Sequence, residues 1–275
     1  MPDTFDLGKI KSFFLEKKKS LQEEITTRSY VADPDPTDEG IDSRIVVFSD
    51  PSCHVAEQYR TIRTNLLSLS PDKPLQAIQL TSALHSEGKT ITSCNLAFAL
   101  AQEPEKKTIL IDSDMRKPAI HKLLGIPKEP GLSEILTKDF DLEHFLQRPI
   151  AGGLYAIPAG KGPANPSELL SSSRLRRMVT RLRSEFDYIV FDVSPIIPVT
   201  DASVLGKQLD GTLLIVRAGW TQAIDIERAY SLLTEAQAKP IGSVLTCVAS
   251  YIPYYLYRYR YIYSHYARPY VYYGP

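Results

Sequence analysis

"LQAIQLTSALHSEGKTITSCNLAFALA", Leu75 to Ala101, is the stretch on which the architecture turns. Its opening, LQAIQLT at 75–81, is a short run rich in apolar residues and reads as a strand. Its close, KTITSCNLAFALA, reads as a helix. Between them SALHSEGKT, Ser82 to Thr90, reverses the chain. Gly88-Lys89-Thr90 opens the helix, so backbone N–H groups and the positive helix end face one point. There Lys89 can reach the terminal phosphates of ATP, the Thr90 hydroxyl can hold Mg²⁺, and Ser86, Glu87, Gly88 and Ile91 complete a phosphate cradle. The strict G-x-x-x-x-G-K-[ST] pattern fails at its first position, where Ala83 stands, so the loop needs support from elsewhere in the chain.

That support comes from the other strand ends. Further apolar runs occur at 107–112 (KTILID), 154–158 (LYAIP), 188–192 (YIVFD), 212–216 (TLLIV) and 242–248 (GSVLTCV). Helix-like stretches lie between them, including NPSELLSSSRLRRMVTRLRSEF, where Asn165 suits an N-cap and Pro166 the first helical position. Strands alternating with helices predict an α/β fold with a doubly wound, mostly parallel sheet, whose ligand site lies at the carboxyl ends of the strands. Asp112 and Asp114 stand at one such end, followed by Arg116, and Asp192 stands at another. One strand-end aspartate is commonly a turn or helix cap. Three of them beside a Gly-Lys-Thr loop make a Mg-nucleotide site.

Composition bounds what else the chain can be. The 275 residues are 43% hydrophobic, enough for one large core, and 32 basic residues balance 32 acidic ones. No global charge draws the chain to nucleic acid, and no nucleic-acid partner is expected. Cys53, Cys94 and Cys247 are odd in number and far apart, which fits buried thiols in a reducing, cytoplasmic setting. No run approaches the roughly 18 to 20 apolar residues that span a bilayer, so any membrane attachment is expected through a partner. Three parts are expected: an extension and linker over 1–43, a nucleotide domain over 44–250 and a tail over 251–275. Within the first, KIKSFFLEKKKSLQEE reads as a solvated charged helix or as a basic amphipathic one for a membrane surface or partner.

The tail holds eleven of the sixteen tyrosines: Tyr251, Tyr254, Tyr255, Tyr257, Tyr259, Tyr261, Tyr263, Tyr266, Tyr270, Tyr272 and Tyr273. It also carries three arginines and one histidine, and no acid, so a site rimmed by phosphate and carboxylate attracts it. Fully extended, a tail of this length reaches roughly 80 to 90 Å, enough to cross to a neighbouring molecule. The alternation in YLYRYRYIY also suits an edge strand, and aromatic residues interleaved with arginine also suit single-stranded RNA.

SEGKT, ILIDSDMRKP and FDYIVFDVSPIIPVTDA together resemble the Walker A, Walker A′ and Walker B motifs of the bacterial tyrosine kinases, or BY-kinases, of capsule and exopolysaccharide synthesis. The resemblance runs from about residue 50 to the C-terminus and includes GLSEIL and EQYRTIR. The latter is similar to the family's E-x-x-R-x-x-R oligomerisation motif and places Glu57, Arg60 and Arg63 on one helical stripe. It implies a P-loop NTPase architecture of the MinD/ParA kind and an ATP-dependent protein-tyrosine autokinase whose own tail is the substrate, offered by one subunit to the next. It further implies a ring-like homo-oligomer such as an octamer, a membrane-spanning chain-length regulator that recruits the chain to the inner face of the membrane, and a tyrosine phosphatase that resets it. In the reaction so implied, Lys89 holds the β and γ phosphates, and Thr90 and Asp192 bind Mg²⁺. Asp112 and Asp114 stand as further metal ligands or as the base for the phenol, and Arg116 either steadies the phosphate or forms a structural salt bridge.

Two departures bear on this reading. Many family members carry Pro-Gly where this chain has His85 and Ser86, and serine tolerates positive φ less well than glycine. A nucleotide-dependent scaffold with weak or no kinase activity, its tail phosphorylated weakly or by another enzyme, is the alternative that this opens. A MinD/ParA-like partition ATPase is another, but its signature lysine, five residues before the P-loop lysine, is replaced here by Leu84.

Overall fold

The computed structural model describes residues 40–69, 75–138, 141–147 and 149–248. The charged N-terminal segment and the tyrosine-rich tail lie outside the described residues. Six strands form one sheet: β1 Ala77–Ser82, β2 Thr108–Asp112, β3 Leu154–Ile157, β4 Tyr188–Asp192, β5 Gly211–Arg217 and β6 Pro240–Thr246. Their order is β3-β2-β4-β1-β5-β6, and every pairing is parallel. The expected mostly parallel sheet is therefore wholly parallel.

A parallel sheet buries both faces, and the strands supply apolar side chains to each. Ile109, Ile111, Ile189 and Phe191 join one core cluster, while Ile78, Leu80, Leu110 and Val190 join the other. The helices α1 Val46–Ser49, α2 His54–Ser68, α3 Lys89–Ala101 and α4 Ile120–Leu123 pack on the second face. On the first lie α5 Leu132–Lys138, α6 Glu143–Leu146, α7 Pro166–Ser171, α8 Ser173–Glu185, α9 Asp201–Gly206 and α10 Ala223–Glu235. Ile41, Ile45 and Val47 are buried together, so the core begins at the start of the described residues. The chain moves outward from β1 to β2 on one side and crosses β1 to reach β5, which makes the end of β1 the place where the order reverses.

The single helix expected over 165–186 is two. Ser172 adopts an extended backbone (φ −66°, ψ 155°), and its hydroxyl accepts the Leu175 N–H at 3.2 Å, so the serine caps a new helix instead of continuing the old one. Pro166 opens α7 as expected, but Asn165 does not cap it through its side chain, whose Nδ2 donates to Glu168 Oε2 at 3.1 Å. The expectation of three buried thiols holds for Cys94 alone. Cys53 is half-buried at the head of α2, and Cys247 is exposed because it follows β6, the edge strand. Among the described residues no helix is long and apolar enough to cross a membrane.

Candidate active site

The loop after β1 is built by left-handed backbone at two positions, Ser86 (φ 64°) and Gly88 (φ 85°). Gly88 meets this without cost, whereas Ser86 carries a Cβ into a region that disfavours one. Ties from the far strands hold the loop in place. The Thr246 hydroxyl donates to the Glu87 carbonyl at 2.8 Å, and Arg217 Nη1 donates to the Ser86 carbonyl at 3.0 Å. The Glu87 carboxylate is buried and committed within the protein: it accepts the Leu84 N–H at 3.0 Å and the Thr221 hydroxyl. Glu87 therefore shapes the cradle, and only its backbone is available to a phosphate. Ile91 packs its side chain on the α2–α3 side of the core, and Leu84 packs half-buried on the other.

Three carboxylates converge below this loop. In the sheet register Asp112 on β2 lies opposite Asp192 on β4. Asp192 is fully buried; its Oδ2 accepts the Thr90 hydroxyl at 2.8 Å, and its Oδ1 accepts Ser93 Oγ at 2.8 Å and Lys89 Nζ at 2.8 Å. Lys89 Nζ also lies 3.6 Å from Asp114 Oδ2. Burial opposes the Lys89 charge, but Asp192 and then Asp114 outweigh it and raise the ammonium above its ordinary value.

Asp112 and Asp114 are not equivalent. Asp112 is fully buried and saturated by backbone: Oδ1 accepts the Asp114 N–H at 3.2 Å, and Oδ2 accepts those of Ala119 and Ile120 at 3.1 Å each. Burial and then the Asp192 charge push it up to about 8, against the pull of Lys89 and the Ile120 N–H. Asp114 accepts Ser194 Oγ at 2.7 Å and the Lys117 N–H at 3.0 Å through Oδ1, which leaves Oδ2 turned to Lys89. Asp112 holds the strand-to-helix turn, whereas Asp114 presents one oxygen to Lys89.

Arg116 forms a salt bridge. Its Nε and Nη2 donate to the two oxygens of Asp201 at 2.9 and 3.2 Å, and Asp201 is fully buried at the head of α9. Ser194 Oγ lies 3.2 Å from the same Asp201 and so couples it to Asp114. Sequence reasoning assigned no role to Asp201, Ser194 or Ser93. Asp201 lies inside the motif FDYIVFDVSPIIPVTDA, but an aspartate opening a helix looks like a cap, and its partner is 85 residues away. The α2 stripe also pairs within the chain. Arg60 Nη1 reaches Glu57 at 2.8 Å, while Arg63 donates to the Ala99 carbonyl at 2.7 Å and meets Glu103 at 3.0 Å. Arg63 thus caps the end of α3, and Glu57 remains 61% exposed.

The donor set fits magnesium. Thr90 Oγ1 and Asp192 Oδ2, 2.8 Å apart, are hard oxygen donors, and further carboxylate stands behind them on β2. Among the described residues no group of three or more His, Cys, Asp or Glu could enclose a metal unaided.

Comparison with known proteins gives the family. Residues 80–210 match a family model described as an AAA domain. The chain is 34% identical over 201 residues to tyrosine-protein kinase YwqD of Bacillus subtilis (strain 168), covering 73% of this chain and 84% of that one. Among solved structures it is similar to the kinase domain of Escherichia coli tyrosine kinase ETK, with TM-score 0.70 and 27% identity over 80% of this chain and 85% of that one. It is also similar to the chimerical protein CapA2B2, with TM-score 0.69 and 27% identity over 81% of this chain and 97% of that one.

Proposed function

The chain belongs to the bacterial tyrosine kinases, and from that premise we propose that it is an ATP-dependent autokinase that phosphorylates the tyrosines of its own tail in trans. The observation that carries this is the meeting of Lys89, Thr90, Asp114 and Asp192 at one point, in a chain whose last 25 residues hold eleven tyrosines. Phosphoryl transfer asks for positioning and charge neutralisation more than for covalent chemistry. The loop amides and Lys89 hold the β and γ phosphates, and Lys89 follows the charge as it develops on the transferred group. Thr90 and Asp192 are the residues that would hold Mg²⁺, with Asp112 and Asp114 behind them, and the ion would supply positive charge to neutralise the phosphates. Asp114 orients the incoming phenol and takes its proton as the new bond forms. A tyrosine hydroxyl titrates near 10, so the carboxylate serves only as that bond forms. Asp112 is the poorer candidate for the base, because it is fully buried and three backbone N–H groups already occupy it.

The wider role follows the family. We place the protein at the inner face of the membrane, recruited and activated by a membrane-spanning chain-length regulator, reset by a tyrosine phosphatase, and controlling capsule or exopolysaccharide synthesis or export. Assembly is a ring-like homo-oligomer in which Glu57 faces the neighbouring subunit. Lys89→Met should lower tail labelling by ATP and Mg²⁺ at least about 100-fold, because it removes charge that stabilises the transition state. Asp192→Asn should do the same. Labelling by either variant at the parent rate would overturn the assignment.

A further inference from the structure

Trp220 is the one tryptophan of the chain, and it is 58% exposed. A large aromatic ring left in solvent is a common surface feature taken singly. This one is fixed. The Arg217 guanidinium lies over its ring, 5.3 Å from the centroid, and the same guanidinium donates to the Ser86 carbonyl in the phosphate loop at 3.0 Å. The turn that carries it is tied a second time: Thr221 Oγ1 accepts the Arg217 N–H at 3.0 Å and donates to the Glu87 carboxylate. The ring therefore stands one guanidinium away from the loop that cradles phosphate, on a turn fastened to that loop.

The strand order says which part of a nucleotide would meet it. Lys89, Thr90, Asp114 and Asp192 gather where β1, β4 and β2 end, which fixes the reacting end of the phosphate chain on that side. The other neighbour of β1 is β5, and Trp220 sits just past the end of β5, across β1 from that cluster. We propose that Trp220, stacked on Arg217 beside the phosphate loop, is the platform on which the nucleobase of the bound nucleotide lies. The proposal rests on the nucleotide site described above and adds its base subsite. Arg217 takes one face of the indole, and the base takes the other. Stacking reads the π-face of a base and not its edge, so the platform favours a purine over a pyrimidine by contact area and separates adenine from guanine weakly.

Because Trp220 is the sole tryptophan, its emission reports on this contact directly in the full-length protein. ADP with Mg²⁺ should quench it, CDP should quench it less at equal occupancy, and inorganic tripolyphosphate should compete with ADP while leaving it unchanged. Trp220→Leu should weaken ADP about tenfold and leave tripolyphosphate affinity as it was, and Trp220→Phe should restore most of the loss. The platform is overturned if calorimetry shows ADP saturating the protein with no change in emission, or if Trp220→Leu binds ADP like the parent. Equal quenching by tripolyphosphate would overturn it too, since loop movement and not base contact would then be reported. No ADP binding by calorimetry would overturn the nucleotide site itself and the platform with it, which keeps the two failures apart.

Discussion

Ser86 holds φ 64° at the point where the phosphate loop bends, in a region that a side chain normally costs of order 1 kcal/mol to enter. Arg217 holds its carbonyl and compensates part of that strain. Ser86→Gly should therefore leave the melting temperature unchanged or raise it by a few degrees, although glycine ordinarily destabilises a folded chain by roughly 0.5 to 1 kcal/mol. A clear fall in melting temperature would show that Ser86 is unstrained. The two aspartates of the second strand end teach the same lesson in reverse. Their spacing was legible because Asp112 and Asp114 adjoin an apolar strand. Their division of labour was not, because it depends on Ala119, Ile120 and Ser194, which approach only when the turn folds back and β4 aligns.

At the scale of elements, the central strands β1, β2 and β4 were legible because each is buried on both faces and so reads as a short continuous apolar run. The break between α7 and α8 was not, since either half continues the helical pattern and only the capping hydroxyl of Ser172 decides the matter. Nor was the tie that seats β1 and β5 together. Asp210 accepts the N–H groups of Gln76 and Ala77 at 3.0 and 2.8 Å and pairs with Arg183 at 2.7 Å. Burial raises its pKa, but the Arg183 hydrogen bond and the backbone donors outweigh that, and the carboxyl sits below its ordinary 3.8. A depressed folded pKa contributes stability that is present above the unfolded value and lost as pH falls through the folded one. Asp210→Asn should cost roughly 2 kcal/mol at pH 7. The gap between parent and variant in denaturant unfolding should narrow below the unfolded value near 3.8. A gap that stays constant down to the acid transition would assign the loss to packing.

For the whole molecule, the intrachain partners of α2 sharpen what an assembly test must use. Arg63 caps α3 and Arg60 pairs with Glu57, so replacing all three residues confuses folding with association. Glu57→Ala alone should leave the melting temperature within a few degrees of the parent, since surface changes rarely exceed about 0.5 kcal/mol, and still lower the mass seen by light scattering. An unchanged mass would remove Glu57 from the interface. The most direct test of the central account pairs two full-length chains, each lacking one half of the reaction. One is Lys89→Met, with a silent site and an intact tail; the other has an intact site and phenylalanine at all eleven tail tyrosines. With ATP and Mg²⁺ neither should gain tail phosphate alone, and peptide mass spectrometry of the mixture should find phosphotyrosine between Tyr251 and Tyr273 of the Lys89→Met chain. A mixture that stays unmodified while the parent labels its tail, or a Lys89→Met chain that labels itself unaided, would contradict the account.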